Sequence, residues 1–472
     1  MNKQTNPIVA AIDIGTTKIC AMVARKNAHG KLEVLGVGQA KSEGVMRGVI
    51  SNIDKTVEAI KSAVAEASRK SGIEIHHVYV GVAGQHIKAI RHKGYLMRDN
   101  GHEEISETDV NKLVADMHKL MLPPGEKIIH VLPQEFTIDD EQGIKEPIGM
   151  SGVRLEADFQ IVIGQIAALQ NIVRCVEKAG LSVVEMILEP IASAAAVLNH
   201  QEKEAGIALV DIGGGTTDIV IYQDNILRHT AVIPLGGNII TEDIREGCMV
   251  MRDQAEKLKV KFGKALAVEA QENTFISIKG LRERAPKQIS LVNLAHIIQA
   301  RMEEILEHMF VQIRLSGYEN KLIGGIVITG GGARLQDLES LTEYLTGLDA
   351  RIGLPAEHLT VNSQRTEYND PMYATGIGLL LVALNKNPVP TEIEMPQHTE
   401  PAATTNNAVV QPIQETLPAE QLDLTNAETK EEEELQPTEQ DNDHSSGDNW
   451  FSRFLRKSRE WLEGDFDSKD FN

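Results

Sequence analysis

The stretch that decides the fold is GIALVDIGGGTTDIVIYQ, residues 206–223. An apolar run leads to Asp211, a glycine-rich turn follows, and a second apolar run begins at Ile219. Two such runs around a tight turn are typical of a buried β-hairpin. Residues 7–26, PIVAAIDIGTTKICAMVARK, repeat the pattern, including the Thr-Thr pair and the polar residue after the turn. Because the motif occurs twice at widely separated positions, we predict a duplicated architecture with two related lobes.

Composition limits the class of protein. The chain has 472 residues, 42% of them hydrophobic, which is enough for several buried cores. A net charge of −21 argues against a nucleic-acid binder, which normally carries a basic excess or patch. Three separated cysteines form no C-x-x-C pair, which favours a reducing compartment and no structural zinc site. A polar N-terminus and the lack of an apolar run of about eighteen residues predict a soluble, cytoplasmic protein.

The segments between and after the hairpins predict an α/β fold with insertions. One region changes to a helix and long strands, which indicates an inserted α+β subdomain, and another is mostly helical. The predicted partition is a first core of 1–84, 164–198 and 372–386, an α+β insertion of 85–163, a second core of 199–236 and 318–371, and a second insertion of 237–317.

Beyond these domains the composition changes. From Thr391 to Asp448 there are fifteen acidic residues and one basic residue, Lys430, and no aromatic residue occurs from Ala374 to Asn449. Such a segment cannot bury enough apolar surface to offset the entropy of ordering. We therefore predict that 387–448 is a disordered acidic linker, with a root-mean-square span of roughly 40–45 Å if it is flexible.

Residues 449–463 are predicted to form an amphipathic helix. At 100° per residue, its bulky apolar side chains fall within a sector of roughly 140° and cationic side chains occupy much of the remainder. The apolar face holds Trp450, Phe451, Phe454, Leu455, Trp461 and Leu462, and the polar face holds Arg453, Arg456, Lys457 and Arg459. This pattern favours a helix lying in the headgroup layer of an anionic membrane. Docking in a partner's groove or on the protein's own body are the alternatives.

The turns have the chemistry of a phosphate site. Glycine turns let backbone N–H groups converge on phosphate oxygens, threonines add hydroxyl donors, and Lys18 adds a charge for a β- or γ-phosphate. The candidate residues are Gly15, Thr16, Thr17 and Lys18 in the first turn and Gly213, Gly214, Gly215, Thr216 and Thr217 in the second. Asp13 and Asp211 end the preceding strands, where carboxylates can orient a hydrated Mg²⁺ ion.

A third glycine turn follows another apolar strand and opens a helix. Its residues are Gly330, Gly331, Gly332 and Ala333. Backbone without a Cβ can approach a nucleotide base or sugar closely at such a turn. Any one of the three turns taken singly also fits an ordinary tight turn.

Taken together and in order, the three turns resemble the motifs of the actin/Hsp70/sugar-kinase ATPase superfamily. The matching segments are DIGTTK (13–18), DIGGGTTDI (211–219) and IVITGGGARL (326–335), with EPIASAAAVL (189–198) and ATGIGLLL (374–381) as connecting helices. More narrowly, the chain resembles the FtsA family of bacterial cell-division proteins through residues 130–159, 227–244 and 253–266. The resemblance covers about 1–385 and resumes at the tail. It implies an actin-like, two-lobed fold on a duplicated RNase H-like core, with an SHS2-type insertion.

The resemblance implies a site for ATP and Mg²⁺ between the lobes. Lys18 takes the position of the phosphate-contacting lysine, and Glu256 and Lys259 match the pair that cradles ribose and adenine. Taken alone, this i, i+3 pair reads as a surface ion pair. Glu189 lies where an acidic residue can orient the attacking water, but an acid that satisfies a helix dipole fits equally well. We therefore expect ATP binding and at most slow hydrolysis.

The resemblance also implies a function. The protein is expected to polymerise on the cytoplasmic face of the inner membrane at the division septum and to bind the C-terminal peptide of FtsZ through its second insertion. The first insertion would serve self-association and contact with later division proteins, and the tail would meet the membrane. The alternatives are a scaffold of another membrane machine, of the pilus-assembly type, and a small-molecule kinase. A kinase should show a hexose-site acid and a substrate domain, and neither is found.

Overall fold

The computed structural model describes residues 7–279, 285–360 and 367–386, together with the backbone of 437–439. The strands, in chain order, are β1 Ile8–Ile14, β2 Lys18–Lys26, β3 Leu32–Lys41, β4 Val45–Met46, β5 Val49–Ile50, β6 His77–Val82, β7 Ile87–Met97, β8 Glu126–Ile138, β9 Glu141–Ile144, β10 Arg154–Gln165, β11 Ser182–Leu188, β12 Ile207–Ile212, β13 Thr217–Gln223, β14 Ile226–Ile233, β15 Thr274–Ile278, β16 Lys287–Ser290, β17 Ile326–Thr329, β18 Ala350–Ile352 and β19 Pro437–Glu439. The helices are α1 Ile53–Ser71, α2 Glu107–Met117, α3 Ile166–Lys178, α4 Glu189–Val197, α5 His200–Ala205, α6 Gly237–Gly247, α7 Arg252–Phe262, α8 Leu291–Ser316, α9 Leu338–Thr346 and α10 Ala374–Asn385.

Two five-stranded sheets with the same strand order form the two lobes. The order is β3-β2-β1-β6-β11 in the first and β14-β13-β12-β17-β18 in the second. Each sheet pairs three antiparallel strands with two parallel ones. The central strands are buried on both faces, which explains their nearly continuous apolar sequence. The predicted duplication and the actin-like fold class are confirmed.

Helices α4 and α10 cross closely between the two lobes. A Cβ on Gly378 of α10 would lie 1.8 Å from the carbonyl oxygen of Ala192 in α4, so this crossing requires glycine. One buried cluster joins Val9 of the first sheet, Leu209 of the second and Leu380 of α10. The core that links the lobes is therefore built mainly from aliphatic and small side chains.

An α+β insertion extends from the first lobe. Its antiparallel sheet has the order β7-β10-β8-β9, and α2 packs with it around a core of its own that includes Leu113 and Phe159. The chain enters at Ile87 and leaves next to it, since Ile87 pairs with Gly164. The insertion is confirmed as part of the fold class, and its limits of 85–163 stay a prediction.

The predicted second insertion contains α6, α7, β15, β16 and α8. Within it, residues 271–292 belong to a small second unit in which β15 pairs with β16 and β19. The remainder belongs to the larger unit, so the boundaries 237–317 stay a prediction. The predicted linker 387–448 lies outside the described residues, apart from β19.

Candidate functional site

A cavity of about 360 Å³ lies between the two hairpin turns, the third glycine turn and helix α7. Most predicted site residues line it. They are Asp13, Gly15, Thr16, Thr17, Lys18, Glu189, Asp211, Gly213, Gly214, Gly215, Thr216, Glu256, Lys259, Gly330, Gly331 and Gly332. Two predicted residues do not line it: Thr217, whose hydroxyl donates to the carbonyl of Leu235 at 2.9 Å, and Ala333, which is buried. The tertiary fold thus assembles into one cavity residues that are widely separated in the chain.

The strand registers of the two hairpins correct the sequence match between the Thr-Thr pairs at residues 16–17 and 216–217. Ile14 pairs with Ile19, and Ile212 pairs with Thr217, so each pair encloses a turn of four residues. Counted from these pairs, Thr16 and Thr17 correspond to Gly214 and Gly215, not to the later threonines. The matching Thr-Thr letters therefore occupy different positions in the two turns.

The two turns touch each other. A Cβ on Gly214 would lie 1.9 Å from Thr17 Oγ1, and one on Gly215 would lie 2.6 Å from Thr16 Oγ1. Real Cβ atoms do not approach oxygen atoms so closely, because van der Waals repulsion forbids it. The second turn therefore needs glycine at both positions to accommodate the threonines of the first.

Four acidic side chains meet at one side of the cavity: Asp13, Glu189, Asp211 and Asp218. Burial raises the pKa of Asp13 to about 6, against the opposing charge of Lys18. Burial, followed by the charge of Asp211, raises the pKa of Asp218 to about 8. Burial and the charges of the three aspartates raise the pKa of Glu189 well above its usual range. Since neighbouring carboxylates oppose each other's ionisation, this group would be stabilised by a cation.

Hydrogen bonds hold the central member of this group. Ser193 and Thr375 donate their hydroxyls to Asp211 Oδ2 at 2.6 and 3.2 Å, which partly opposes the rise in the pKa of Asp211 caused by burial. Thr216 donates to Asp218 Oδ2 at 3.1 Å, while the buried Oδ1 has no hydrogen-bond partner among the described residues.

The acidic group fits hydrated Mg²⁺ better than a directly bound ion. In the described part of the chain, no three His, Cys, Asp or Glu side chains lie close enough to hold a metal directly. Mg²⁺ prefers hard oxygen ligands and keeps several of its waters, which carboxylates can orient. Once a cation has displaced the proton of Asp218, its unpartnered Oδ1 is one acceptor suited to such a water.

Two lysines line the cavity, Lys18 on strand β2 and Lys259 on helix α7. Lys18 Nζ donates to the carbonyl of Met372 at 2.9 Å and lies 4.6 Å from the centre of the Tyr373 ring. Lys259 Nζ pairs with Glu256 at 2.7 Å and donates to the carbonyl of Gly237 at 2.9 Å. Burial lowers the pKa of Lys259, although Glu256 opposes the shift. The predicted Glu256–Lys259 pair is therefore present on α7 and faces the cavity.

Several lining residues were missed by sequence reasoning. They include Asp218, Asn238, Val260, Arg334, Met372 and Thr375. Asp218 had a readable signal, because it is a charged residue directly before the apolar run 219–222 of strand β13. Asn238 also had one, since it follows two glycines at the start of α6. No local pattern distinguishes Met372 and Thr375, which tertiary contacts bring to the site.

The predicted amphipathic tail lies outside the described residues. This concerns Trp450, Phe451, Arg453, Phe454, Leu455, Arg456, Lys457, Arg459, Trp461 and Leu462. Within 7–279, 285–360 and 367–386, no helix is both long and apolar enough to span a membrane.

Comparisons with known proteins identify the family. Residues 208–378 match the model of the family "Cell division protein FtsA", and residues 84–163 match the model "SHS2 domain inserted in FTSA". The chain is 38% identical to the cell division protein FtsA of Pseudomonas aeruginosa over 81% of its length and 91% of that protein. It is 32% identical to FtsA of Escherichia coli K12, over 79% of this chain and 89% of that one.

A solved structure supports the fold independently. A chain of a "PilM-PilN type IV pilus biogenesis complex" superposes with a TM-score of 0.58, over 80% of this chain and 98% of that one. At 15% sequence identity, this similarity concerns the fold alone. The relatives with 32–38% identity over most of their length decide the family. The chain belongs to the FtsA family of cell-division proteins.

Proposed function

We propose that this cell-division protein binds ATP in the cavity between its lobes. The observation that carries the proposal is that two glycine turns, one from each lobe, meet and together line one cavity of about 360 Å³. This volume lies in the range of pockets that hold small molecules. Lys18 would contact the β- or γ-phosphate, and Glu256 with Lys259 would hold the ribose and base.

Mg²⁺ belongs to this proposal. Asp13 and Asp211, together with Asp218, would orient the waters of the ion. When bound, Mg²⁺ supplies positive charge that offsets the charges of phosphates and carboxylates. Without a cation, a polyphosphate would approach several acidic groups at once, so nucleotide affinity should depend on Mg²⁺.

Hydrolysis of ATP is proposed to be slow. Glu189 begins α4 and faces the cavity, which suits a residue that orients water. Its pKa lies well above the usual range because of burial and the nearby aspartates. A carboxyl group that holds its proton is a poor general base, so neighbouring charge must be neutralised before it can act.

The division role is proposed to be that of a membrane adaptor. The protein would polymerise on the cytoplasmic face of the inner membrane at the septum, bind FtsZ through the C-terminal peptide of FtsZ, and recruit later division proteins. The apolar and cationic faces of 449–463 support membrane contact. One such helix binds modestly, and a polymer that presents many of them binds firmly through avidity.

Co-sedimentation tests the adaptor role. Liposomes with anionic lipid should carry down the full chain, and FtsZ should sediment with them only when the chain is present. Deletion of 450–472 should abolish liposome binding but preserve nucleotide binding and the complex with the FtsZ C-terminal peptide.

A matched pair of substitutions sharpens this test. Trp450→Ala with Trp461→Ala should weaken liposome binding strongly, while Leu422→Ala with Leu424→Ala in the predicted linker should not. Liposome binding that survives the tail deletion would remove the anchor, and no complex with the FtsZ peptide at high micromolar concentration would remove the adaptor role.

A further inference from the structure

Strand β8 of the insertion lies against the edge strands of both lobes. β11 is the edge strand of the first sheet and β14 is the edge strand of the second. β8 contacts both of them, although it pairs in neither sheet. Edge strands present unpaired backbone groups, and side chains of β8 satisfy one such group on each strand.

The contact with the first lobe is made by His130. Its Nε2 accepts the backbone N–H of Leu188 at 3.1 Å. Leu188 ends β11 and directly precedes Glu189, which faces the cavity. Burial lowers the pKa of His130 to about 4, so the imidazole is neutral near pH 7, as an accepting Nε2 requires.

The contact with the second lobe is made by the next part of β8. Gln134 Nε2 donates to the carbonyl of Leu227 on β14 at 2.7 Å. Glu135 pairs at 2.8 Å with Arg228, whose side chain is only 6% exposed. The pairing of β8 with β10 shifts register at Gln134 and Glu135, and a bulge of this kind re-aims side chains.

The middle of β8 is packed as well. Leu132 lies between the two contacts and packs against the core of the first lobe and against the cluster that joins both lobes. Farther along the insertion, Lys145 pairs with Asp224 of the second lobe at 2.9 Å. The insertion therefore holds both lobes through bonds on either side of a packed hydrophobic residue.

We propose that β8 is a bridge that couples the nucleotide cavity to the insertion. A change in the angle between the lobes has to move β8 or break one of its contacts. Nucleotide binding would then change the stability of the insertion. It would also change the affinity of the insertion for a ligand of its own, and that ligand would change nucleotide affinity by the same factor. In this arrangement His130 is a positioning residue: it holds the backbone of Leu188, which directly precedes Glu189. The inference rests on the proposed nucleotide binding.

Hydrogen exchange tests the bridge in the full chain, with and without Mg²⁺ and a non-hydrolysable ATP analogue. In the unmodified protein, nucleotide should slow exchange at least about threefold in β7 and β10 as well as at the cavity. In Gln134→Ala with Glu135→Gln, the dissociation constant measured by calorimetry should stay within about threefold, but β7 and β10 should no longer respond. His130→Ala should also remove that response.

The chain offers a closely matched control. Lys145 and Lys93 are both 56% exposed, and each pairs with one carboxylate, at 2.9 and 2.7 Å. Only Lys145 reaches across to the second lobe, since the partner of Lys93 is Glu156 within the insertion. Lys145→Gln should reduce the exchange response, and Lys93→Gln should leave it intact.

The outcomes separate this inference from the proposed function. If calorimetry detects no nucleotide binding to the unmodified protein, both are wrong. If nucleotide binds but exchange in the insertion does not change, or if the change survives every bridge variant, the coupling is overturned and the nucleotide site stands.

Discussion

The hairpins β1–β2 and β12–β13 share a backbone plan but differ in chemistry. Each closes on a turn of four residues between paired positions, Ile14 with Ile19 and Ile212 with Thr217. By this register Lys18 corresponds to Thr216, and Cys20 corresponds to Asp218. The first hairpin therefore carries a cation and, two residues later, a neutral thiol, and the second carries a hydroxyl and, two residues later, an acid.

This difference shows which features a duplicated fold must keep. The ladder of backbone hydrogen bonds is needed by each sheet, so turn length and register stay the same. Side chains at the turns are not needed by the sheets and can diverge. Both hairpins keep an acid, Asp13 or Asp211, and the asymmetry adds the cation Lys18 from the first and a further acid, Asp218, from the second. This combination suits a phosphate and a hydrated metal ion.

The largest combined effect, on folding stability as well as on nucleotide affinity, is expected from breaking the contact between the two turns. Gly214→Ala places a Cβ 1.9 Å from Thr17 Oγ1, so the turns must move apart. Overpacking of this kind costs about 1–3 kcal/mol, and nucleotide affinity should fall about tenfold or more. Thermal unfolding and calorimetry measure the two effects. Gly331→Ala is the stability control, because its Cβ would have no atom within 4 Å. Equal losses of stability in both variants would contradict the contact.

The next effect is expected from removing the cation of the first turn. Lys18→Ala should weaken ATP binding about ten- to one-hundredfold, because a hydrogen bond to a charged group contributes about 1.5–3 kcal/mol. Thr216→Ala, at the corresponding position of the second turn, should cost only a few-fold. Lys26→Ala is the control, since Lys26 lies at the other end of β2 and donates to Asn385. An unchanged dissociation constant for Lys18→Ala would remove its assignment to the phosphates.

A smaller effect is expected from removing the acid of the second turn. The pKa of Asp218 rises from 3.8 to about 8 on folding, so the folded protein keeps a proton that the unfolded chain releases between these values. Its contribution to stability is therefore present at low pH and is lost as pH rises through this window. Without nucleotide or Mg²⁺, the melting temperature should fall from pH 5 to pH 8, and the fall should be smaller in Asp218→Asn.

The slope should not vanish in that variant, because the pKa of Asp13 is also raised, to about 6. Asp158→Asn on the surface of the insertion serves as the control. An identical pH slope in Asp218→Asn and in the unmodified protein would show that Asp218 does not hold a proton in the folded state.

The smallest effect is expected at the neutral counterpart of Asp218. Cys20 is 2% exposed and faces the core of the lobes. Cys20→Ala should cost about 1 kcal/mol of folding stability through lost packing. ATP affinity should not change. A loss of affinity comparable to that of Lys18→Ala would mean that Cys20, like Lys18, contributes to ATP binding.

Much of the fold and the site followed from local patterns. Glycine-rich turns between apolar runs predicted both hairpins, and the strands of both lobes are long enough to carry that signal. The pair Glu256 and Lys259 faces the cavity, as the resemblance implied. Matching the two Thr-Thr pairs by letter was misleading, because position in a hairpin is set by strand pairing and not by residue identity.

The sequence by itself determined the two lobes, the insertion in the first lobe and the glycine turns, because strand periodicity and turn chemistry act over a few neighbouring residues. Only the tertiary structure decided that the two turns touch, that Asp218 joins Asp13, Asp211 and Glu189, and that β8 bonds to both edge strands. These contacts join residues far apart in the chain. Their energies come from shared burial and from charges placed side by side, and such placement exists only once the lobes have packed together.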